Sequence, residues 1–306
     1  MGVIIIQIRR PLLIILMFVV AISFIITNNT KNDEELNDKI ITIQGVVKGK
    51  IEKKRYNQYK VGVFLINDYT KNKNLKIGQK VNITGKFKSL DKMKYDDFDY
   101  GRYIKSTGYK GIVYINNYKI IDKNKLYSLI GEIKFYISKT YRYLYKKNSD
   151  FINSILLAEV ENLTEEQKEI FTRTGTSHVI SISGLHTGIL CVIISFLLRG
   201  INKLYKLLIL SIFITLYCIM VGASPSIIRS IAFVMIFYLS IFIDRKKDGI
   251  SALSLIGIIL IMNNPYVIYN VSFQLSFLAT LSILIFYNKI NSIIKLSMVS
   301  LTISSN

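Results

Sequence analysis

The sequence predicts an α-helical polytopic membrane protein carrying a small extracytoplasmic β-barrel domain of OB-fold type. Three observations predict it. Of 306 residues, 51% are hydrophobic and the mean hydropathy is +0.36. The apolar residues crowd into blocks after Ser177, whereas Thr30 to Tyr127 is rich in Lys and polar residues. The loops between the apolar blocks alternate in charge. Two solvents are implied, one aqueous and one lipid, which excludes an ordinary soluble domain.

Four regions follow: a transmembrane helix (1–29), the barrel (30–124), surface helices (125–176) and a multi-span domain (177–306). Leu12 to Thr27 carries no charge and is preceded by Arg9, Arg10 and Pro11. No small-residue cleavage pattern follows it at Ile25-Ile26-Thr27-Asn28-Asn29, so the reading is a retained first helix with its basic end in the cytoplasm. The polar region after it is then placed outside.

From Ile40 to Ile121 the apolar period changes to two, in the runs Ile41 to Val47, Lys60 to Ile66, Lys80 to Phe87 and Gly111 to Ile115. Period two with turn residues between means strands. About five short strands, several with an internal Gly that permits bending, suit a closed Greek-key barrel better than a sandwich. Lys125 to Lys147 has helical apolar spacing with Lys and Arg between, as on a basic helix at a membrane surface. The same spacing also fits a helix packed on the barrel. A further helix follows from Asp150, and Thr164-Glu165-Glu166-Gln167 is a capping box for another that ends near Gly175.

Candidate spans run from His178 to Leu198, Leu204 to Val221, Ile227 to Ile243, Ile250 to Met262 and Val267 to Tyr287. The fourth is short for a full crossing. Arg199, Lys203 and Lys206 follow the first span, little charge lies around Ser224, Arg245-Lys246-Lys247 follow the third, Asn263-Asn264-Pro265 is neutral, and Lys289 follows the last. The positive-inside rule is obeyed at every turn and agrees with the first helix running from inside to outside. Ile290 to Asn306 begins another apolar stretch, which reads as a truncated helix.

The net charge of +20 makes a polyanionic partner plausible, although Lys-, Asn- and Ile-heavy usage runs through the entire chain. Lys48, Lys50, Lys53, Lys54 and Arg55 beside Tyr56 and Tyr59 combine phosphate neutralisation with stacking faces, as single-strand binders do. They also fit a solvated hairpin tip with ordinary strand aromatics. Cys191 and Cys218 lie in different apolar segments and read as small buried hydrophobes, not as a disulfide.

Chemistry concentrates in Ser177-His178-Val179-Ile180-Ser181-Ile182-Ser183-Gly184-Leu185-His186-Thr187-Gly188, which holds the two histidines of the chain. Polarity at membrane depth faces protein or water, while the small residues also permit close helix packing. His178 and His186 are eight apart with no carboxylate or Cys at ligand spacing, which speaks against zinc. Ile182-Ser183-Gly184 is not a nucleophile elbow, and no acid in the motif orients a base, which speaks against a Ser183–His186 intramembrane hydrolase.

Gly175 to Gly188 resembles the signature of the ComEC competence family, a Gly and a His followed by a Ser-Gly-Leu-His core. Val221-Gly222-Ala223-Ser224-Pro225-Ser226 with Arg229, Asp244-Arg245 with Asp248, Asn264-Pro265 and Ser272-Phe273-Gln274-Leu275-Ser276-Phe277 resemble later motifs of the family in the same order. Asp97-Phe98-Asp99-Tyr100 with Tyr103 and Gly108 is similar to the element near the end of its outer OB-fold domain. The sequence departs from the family at Lys94-Tyr95-Asp96, where an Asn-Pro-Gly turn is common, and at Ala158-Glu159, where Gly-Glu is usual.

The resemblance implies a channel component of the bacterial inner membrane for uptake of single-stranded DNA. His178, Ser181, Ser183, Gly184, His186, Gly188, Arg229 and Gln274 would then line or shape the path. Arg229 also fits snorkelling to the outer headgroups, and Gln274 an interhelical hydrogen bond. The implied partners are single-stranded DNA, the bilayer, and other competence-machinery proteins or a second copy. No catalytic residue, metal or cofactor is expected. A split-gene or non-functional fragment is the competing reading.

Overall fold

The structure is a computed structural model that describes residues 10–29, 36–53, 55–91, 93–95, 98–176, 184–222, 227–228, 231–232, 235–236 and 248–304. Helix α1 spans Pro11–Asn29. Proline at its first position costs nothing, because that N–H has no helical partner. Nineteen residues rise about 28 Å, close to the thickness of a bilayer core. Among the described helices, α1 and Lys203–Val221 are long and apolar enough to cross a membrane.

The polar region is a closed five-stranded barrel of β1 (Ile40–Glu52), β2 (Asn57–Val61), β3 (Phe64–Asp68), β4 (Gln79–Ser89) and β7 (Gly111–Lys123), ordered β1-β2-β3-β7-β4. This arrangement fits the expected OB-fold. Strand β1 serves two neighbours: Ile40 to Val46 pairs with β4, and Val47 to Glu52 pairs with β2 beyond a bulge at Val47/Gly49. The β3–β7 pairing is parallel and the others are antiparallel. Closure removes the free edges that would invite pairing with another chain. Alternate residues turn inward to a core of Val47, Tyr59, Val61, Ile66, Leu75, Val81, Ile83, Phe87, Val113 and Ile115.

The run Lys60 to Ile66, expected as one strand, is a hairpin. Val61 pairs with Phe64 across Gly62-Val63, and Gly62 takes φ +57. A two-residue turn with glycine in the left-handed region at its first position matches the right-handed strand twist. A small ribbon of β5 (Lys94–Tyr95) and β6 (Phe98–Asp99) precedes helix α2 (Tyr100–Ser106), which returns the chain to β7.

Helix α3 (Lys125–Tyr145) starts at Asn124, whose Oδ1 accepts from Tyr127 N at 3.1 Å. Leu129, Ile133, Phe135, Tyr136, Tyr143 and Leu144 on it are exposed. Helices α4 (Ser149–Leu157) and α5 (Glu165–Arg173) follow. The capping box forms as read: Gln167 N donates to Thr164 Oγ1 at 3.2 Å, and Thr164 N donates to Gln167 Oε1 at 3.0 Å.

The apolar half contains α6 (Gly184–Leu197), α7 (Lys203–Val221), α8 (Gly249–Asn263) and α9 (Val271–Ser304). Most of the expected Ile227–Ile243 span lies outside the described residues. The last expected span differs. A 3-10 turn occupies Pro265–Tyr269, and one helix then runs from Val271 to Ser304. No Gly or Pro stands between Tyr287 and Ser304 to end it. Helix α1 packs along α8, where Leu16 meets Ile256, Ile261 and Val267 in one cluster. A Cβ on Gly257 would fall 2.9 Å from Leu16 Cδ1 and 3.0 Å from Phe277 Cε2, so glycine permits this close approach.

Candidate functional site

Tyr56 just before β2, Tyr69 just after β3 and Tyr114 of β7 lie side by side at one rim of the barrel. Because Asn57 pairs with Asp68, the preceding Tyr56 stands opposite Tyr69, while Asn67 pairs with Tyr114. The Tyr56 and Tyr69 ring centroids are 4.8 Å apart at 33°, and those of Tyr69 and Tyr114 are 5.8 Å apart at 42°. Tyr69 is 55% exposed. Sequence reasoning missed Tyr69 and Tyr114. The signal available for Tyr69 was its place just past a strand end in Asp68-Tyr69-Thr70-Lys71.

Buried Asp68 shapes the loop that carries Tyr69. Its Oδ1 accepts from Thr70 N at 3.1 Å and from Thr70 Oγ1 at 2.6 Å, and its Oδ2 accepts from Lys73 N at 3.1 Å. Side-chain acceptance of this kind fixes a turn without strand pairing. Lys73 Nζ donates back to Ile115 O at 3.1 Å, tying the loop to β7.

The predicted basic residues divide. Lys53 Nζ lies 5.2 Å from the Tyr56 ring centroid and donates to its hydroxyl at 3.2 Å. Lys48 and Arg55 are exposed. Lys50 is paired with Glu52 at 2.6 Å, which partly neutralises it. Lys54 lies outside the described residues. Tyr59 is corrected: it is fully buried in the barrel core with its hydroxyl donating to Lys73 O, so it offers no stacking face. Burial raises the pKa of that hydroxyl. Lys60 and Lys134 are close enough to repel, and burial lowers both of their pKa values, with Glu159 at 4.0 Å from Lys134 opposing the shift.

Of the expected path residues, His178, Ser181, Ser183 and Arg229 lie outside the described residues. Gly184 begins α6. His186 is half-buried in its first turn, and Thr187 beside it is buried. A Cβ on Gly188 would meet no described atom within 4 Å. One turn on, Cys191 packs against Leu210 and Ile214 of α7, so α6 and α7 are neighbours. Cys191 and Cys218 are both free thiols. Gln274 is an exposed residue of α9, and its Nε2 donates to Ile268 O at 2.6 Å. It thereby closes the 3-10 turn before its own helix.

That turn meets the barrel. Asn264 Nδ2 donates to Lys105 O at 2.8 Å, and Asn270 Nδ2 donates to Ser106 Oγ at 3.1 Å. Arg102 lies 4.9 Å from the Tyr269 ring centroid, and Lys105 Nζ lies 5.1 Å from that of Tyr266. The end of α1 joins the same contact, with Ser23 Oγ donating to Pro265 O at 2.7 Å and Thr27 Oγ1 3.0 Å from Tyr269 OH. A cavity of about 180 Å³ opens beside it, lined in part by Asn28, Asp91, Asp99 and Arg102.

Taken together, these elements define a mostly helical protein with an inserted closed barrel and helices suited to a bilayer. Residues 155–303 match the profile of the family described as "Competence protein". The chain is 28% identical over 185 residues to ComE operon protein 3 of Bacillus subtilis (strain 168), covering 60% of this chain and 24% of that protein. It is 30% identical over 125 residues to an uncharacterized protein of Aquifex aeolicus (strain VF5), covering 40% and 30%. The chain is thus similar to ComEC-type competence proteins over residues 155–303, and it spans about a quarter to a third of the length of the curated relatives it matches. Among solved structures, aspartyl tRNA synthetase from Entamoeba histolytica aligns over 62% of this chain and 44% of its own, at 11% identity and a TM-score of 0.22.

Proposed function

We propose that this chain is a multi-pass component of the channel that takes up single-stranded DNA during bacterial competence, with the barrel on the outer face as the receiving domain. The match of residues 155–303 to the competence family carries the reading, and the tyrosine rim is the feature of the barrel that fits it. Three neighbouring rings offer bases sequence-tolerant stacking faces, worth about 1–3 kcal/mol each. Lys48, Lys53 and Arg55 supply phosphate neutralisation. The histidine motif Ser177 to Gly188, whose last residues open α6, would line or shape the path through the membrane, a role of binding and conduction rather than of bond chemistry.

The two ends of α1 support the orientation. Arg10 pairs with Asp248 at 3.6 Å, next in sequence to Arg245, Lys246 and Lys247, while the other end of α1 meets the barrel. Helices α1 and α8 therefore run in the same direction, with basic sequence at one end and the barrel at the other. Basic residues favour the cytoplasmic side. The exposed apolar face of α3, between lysines and arginines, suits the membrane surface.

The reading is tested with the purified full chain in lipid nanodiscs and a fluorescent single-stranded oligonucleotide. Binding that weakens steeply with salt is expected, with a shallower slope after Lys48→Ala, Lys53→Ala and Arg55→Ala. No binding at low salt by well-folded protein would overturn it. For the orientation, a Lys48→Cys variant in intact spheroplasts is expected to react with a membrane-impermeant maleimide.

A further inference from the structure

We infer that Asn264 and Asn270 are positioning residues, and that the turn they bracket between α8 and α9 is a socket holding the barrel through α2. In the sequence this stretch reads as a neutral loop and the start of the next span. The contacts give it a different role.

Each asparagine does two things with one side chain. Asn264 Oδ1 accepts from Tyr266 N at 3.1 Å, and Asn270 Oδ1 accepts from Phe273 N at 3.1 Å, so both cap the helical turns that follow them. Their Nδ2 atoms point the other way and donate to the C-terminal end of α2, at Lys105 O and Ser106 Oγ. Asn270 is 4% and Ser106 1% exposed, so this bond is shielded from water. Serine or aspartate would cap as well, but neither offers an amide donor across the joint.

The cations of α2 are engaged as well. Arg102 pairs with Asp99 at 3.5 Å, donates to Asn28 Oδ1 at 3.3 Å and stacks on Tyr269. Asp99 in turn caps α2, its Oδ1 accepting from Arg102 N at 2.9 Å. The Phe98-Asp99-Tyr100 element and the Asn264-Pro265 motif, 165 positions apart, are therefore two halves of one contact. Its consequence, which rests on the proposed DNA reading, is that the joint fixes where the tyrosine rim stands relative to the membrane helices. The joint itself does not rest on that reading.

Asn264→Asp separates the two roles. It keeps the capping oxygen but sets a carboxylate against the carbonyl oxygens of Lys105 and Ser106. Hydrogen exchange on the full chain in nanodiscs is expected to speed up by about tenfold at 100–106 and 264–270, with β4 and β7 still protected. Ser106→Ala and Asn270→Asp should each speed exchange, and their double variant should be no faster than the worse single one. Oligonucleotide binding at the rim should persist while transformation of a competent host falls. Unchanged exchange at both segments, or additive effects at 106 and 270, would overturn the socket. Failure of the wild type to bind DNA would overturn the functional reading and leave the exchange result to decide the joint.

Discussion

The barrel domain sets cations beside tyrosines twice, once at the rim and once at the joint, and uses them in opposite ways. At the joint, Arg102 and Lys105 stack on Tyr269 and Tyr266 of the helical half and are also engaged by Asp99 and Asp91. At the rim, Tyr69 packs at a tilt against both Tyr56 and Tyr114, with Lys53 beside Tyr56 and Lys48 and Arg55 exposed. Composition is the same in both places. What differs is exposure: the joint is closed between two parts of the chain, whereas Lys48, Arg55 and Tyr69 at the rim face solvent.

The largest expected effect removes both sites at once. Phe87 is 2% exposed, and its ring lies so close to Gly111 that a Cβ there would be 2.1 Å from Phe87 Cε2. Phe87→Ala should cost the barrel about 3–5 kcal/mol, read as loss of protease resistance between Ile40 and Lys123. If rim and joint are independent, membrane insertion of the helices should survive it.

Next, the comparison is sharpened at the rim alone. Tyr69→Ala should weaken single-strand binding by about 1–3 kcal/mol, measured by fluorescence anisotropy, without altering hydrogen exchange at the joint. Tyr59→Phe should leave DNA binding unchanged, since Tyr59 is buried.

A smaller effect lies between the two regions. Ala158 ends α4 at φ 59 and ψ 32 in the left-handed region, where an L side chain is strained and glycine is not. Ala158→Gly should stabilise the chain by about 0.5–1 kcal/mol, the relief of strain being partly offset by entropy of the unfolded chain. A rise in thermal midpoint in detergent checks it.

The smallest effect is a pH dependence away from both sites. Asp38 accepts from Lys86 at 3.1 Å and faces Lys88 at 3.6 Å, and these contacts hold its carboxyl below the usual value near 3.8. A lowered folded pKa means stability present above the ordinary carboxylate pKa and lost as pH falls through the lowered value. Asp38→Asn, which tolerates φ 64 at this position, should slightly flatten the acid limb of a stability curve and change nothing at pH 7 to 8 beyond the lost surface pair.

What the sequence made legible was local. The Thr164–Gln167 box depends on residues three apart and forms as read, and the helix read from Lys125 begins there. The hairpin inside Lys60–Ile66 escaped because apolar alternation continues across Gly62 and no Asn-Gly or Asp-Gly flags the turn. Tyr59 was chosen over Tyr69 because the inside and outside of a strand are set by register with its neighbours, which spacing along one strand does not give. The joint was illegible for a simpler reason: Asn270 and Ser106 are 164 residues apart, and each looks like an ordinary cap or turn residue where it stands.

That separation has a consequence for biogenesis. Asn264 leaves the ribosome about 10–30 s after Ser106 at ordinary rates of synthesis, given the 158 positions between them. During that interval the barrel is attached only through α1 and the lengthening chain, with its docking face uncovered. It must hold its shape alone, and a sheet whose strands close on one another can do so before the socket exists. The late arrival of the turn sets docking after closure of the barrel in the order of synthesis.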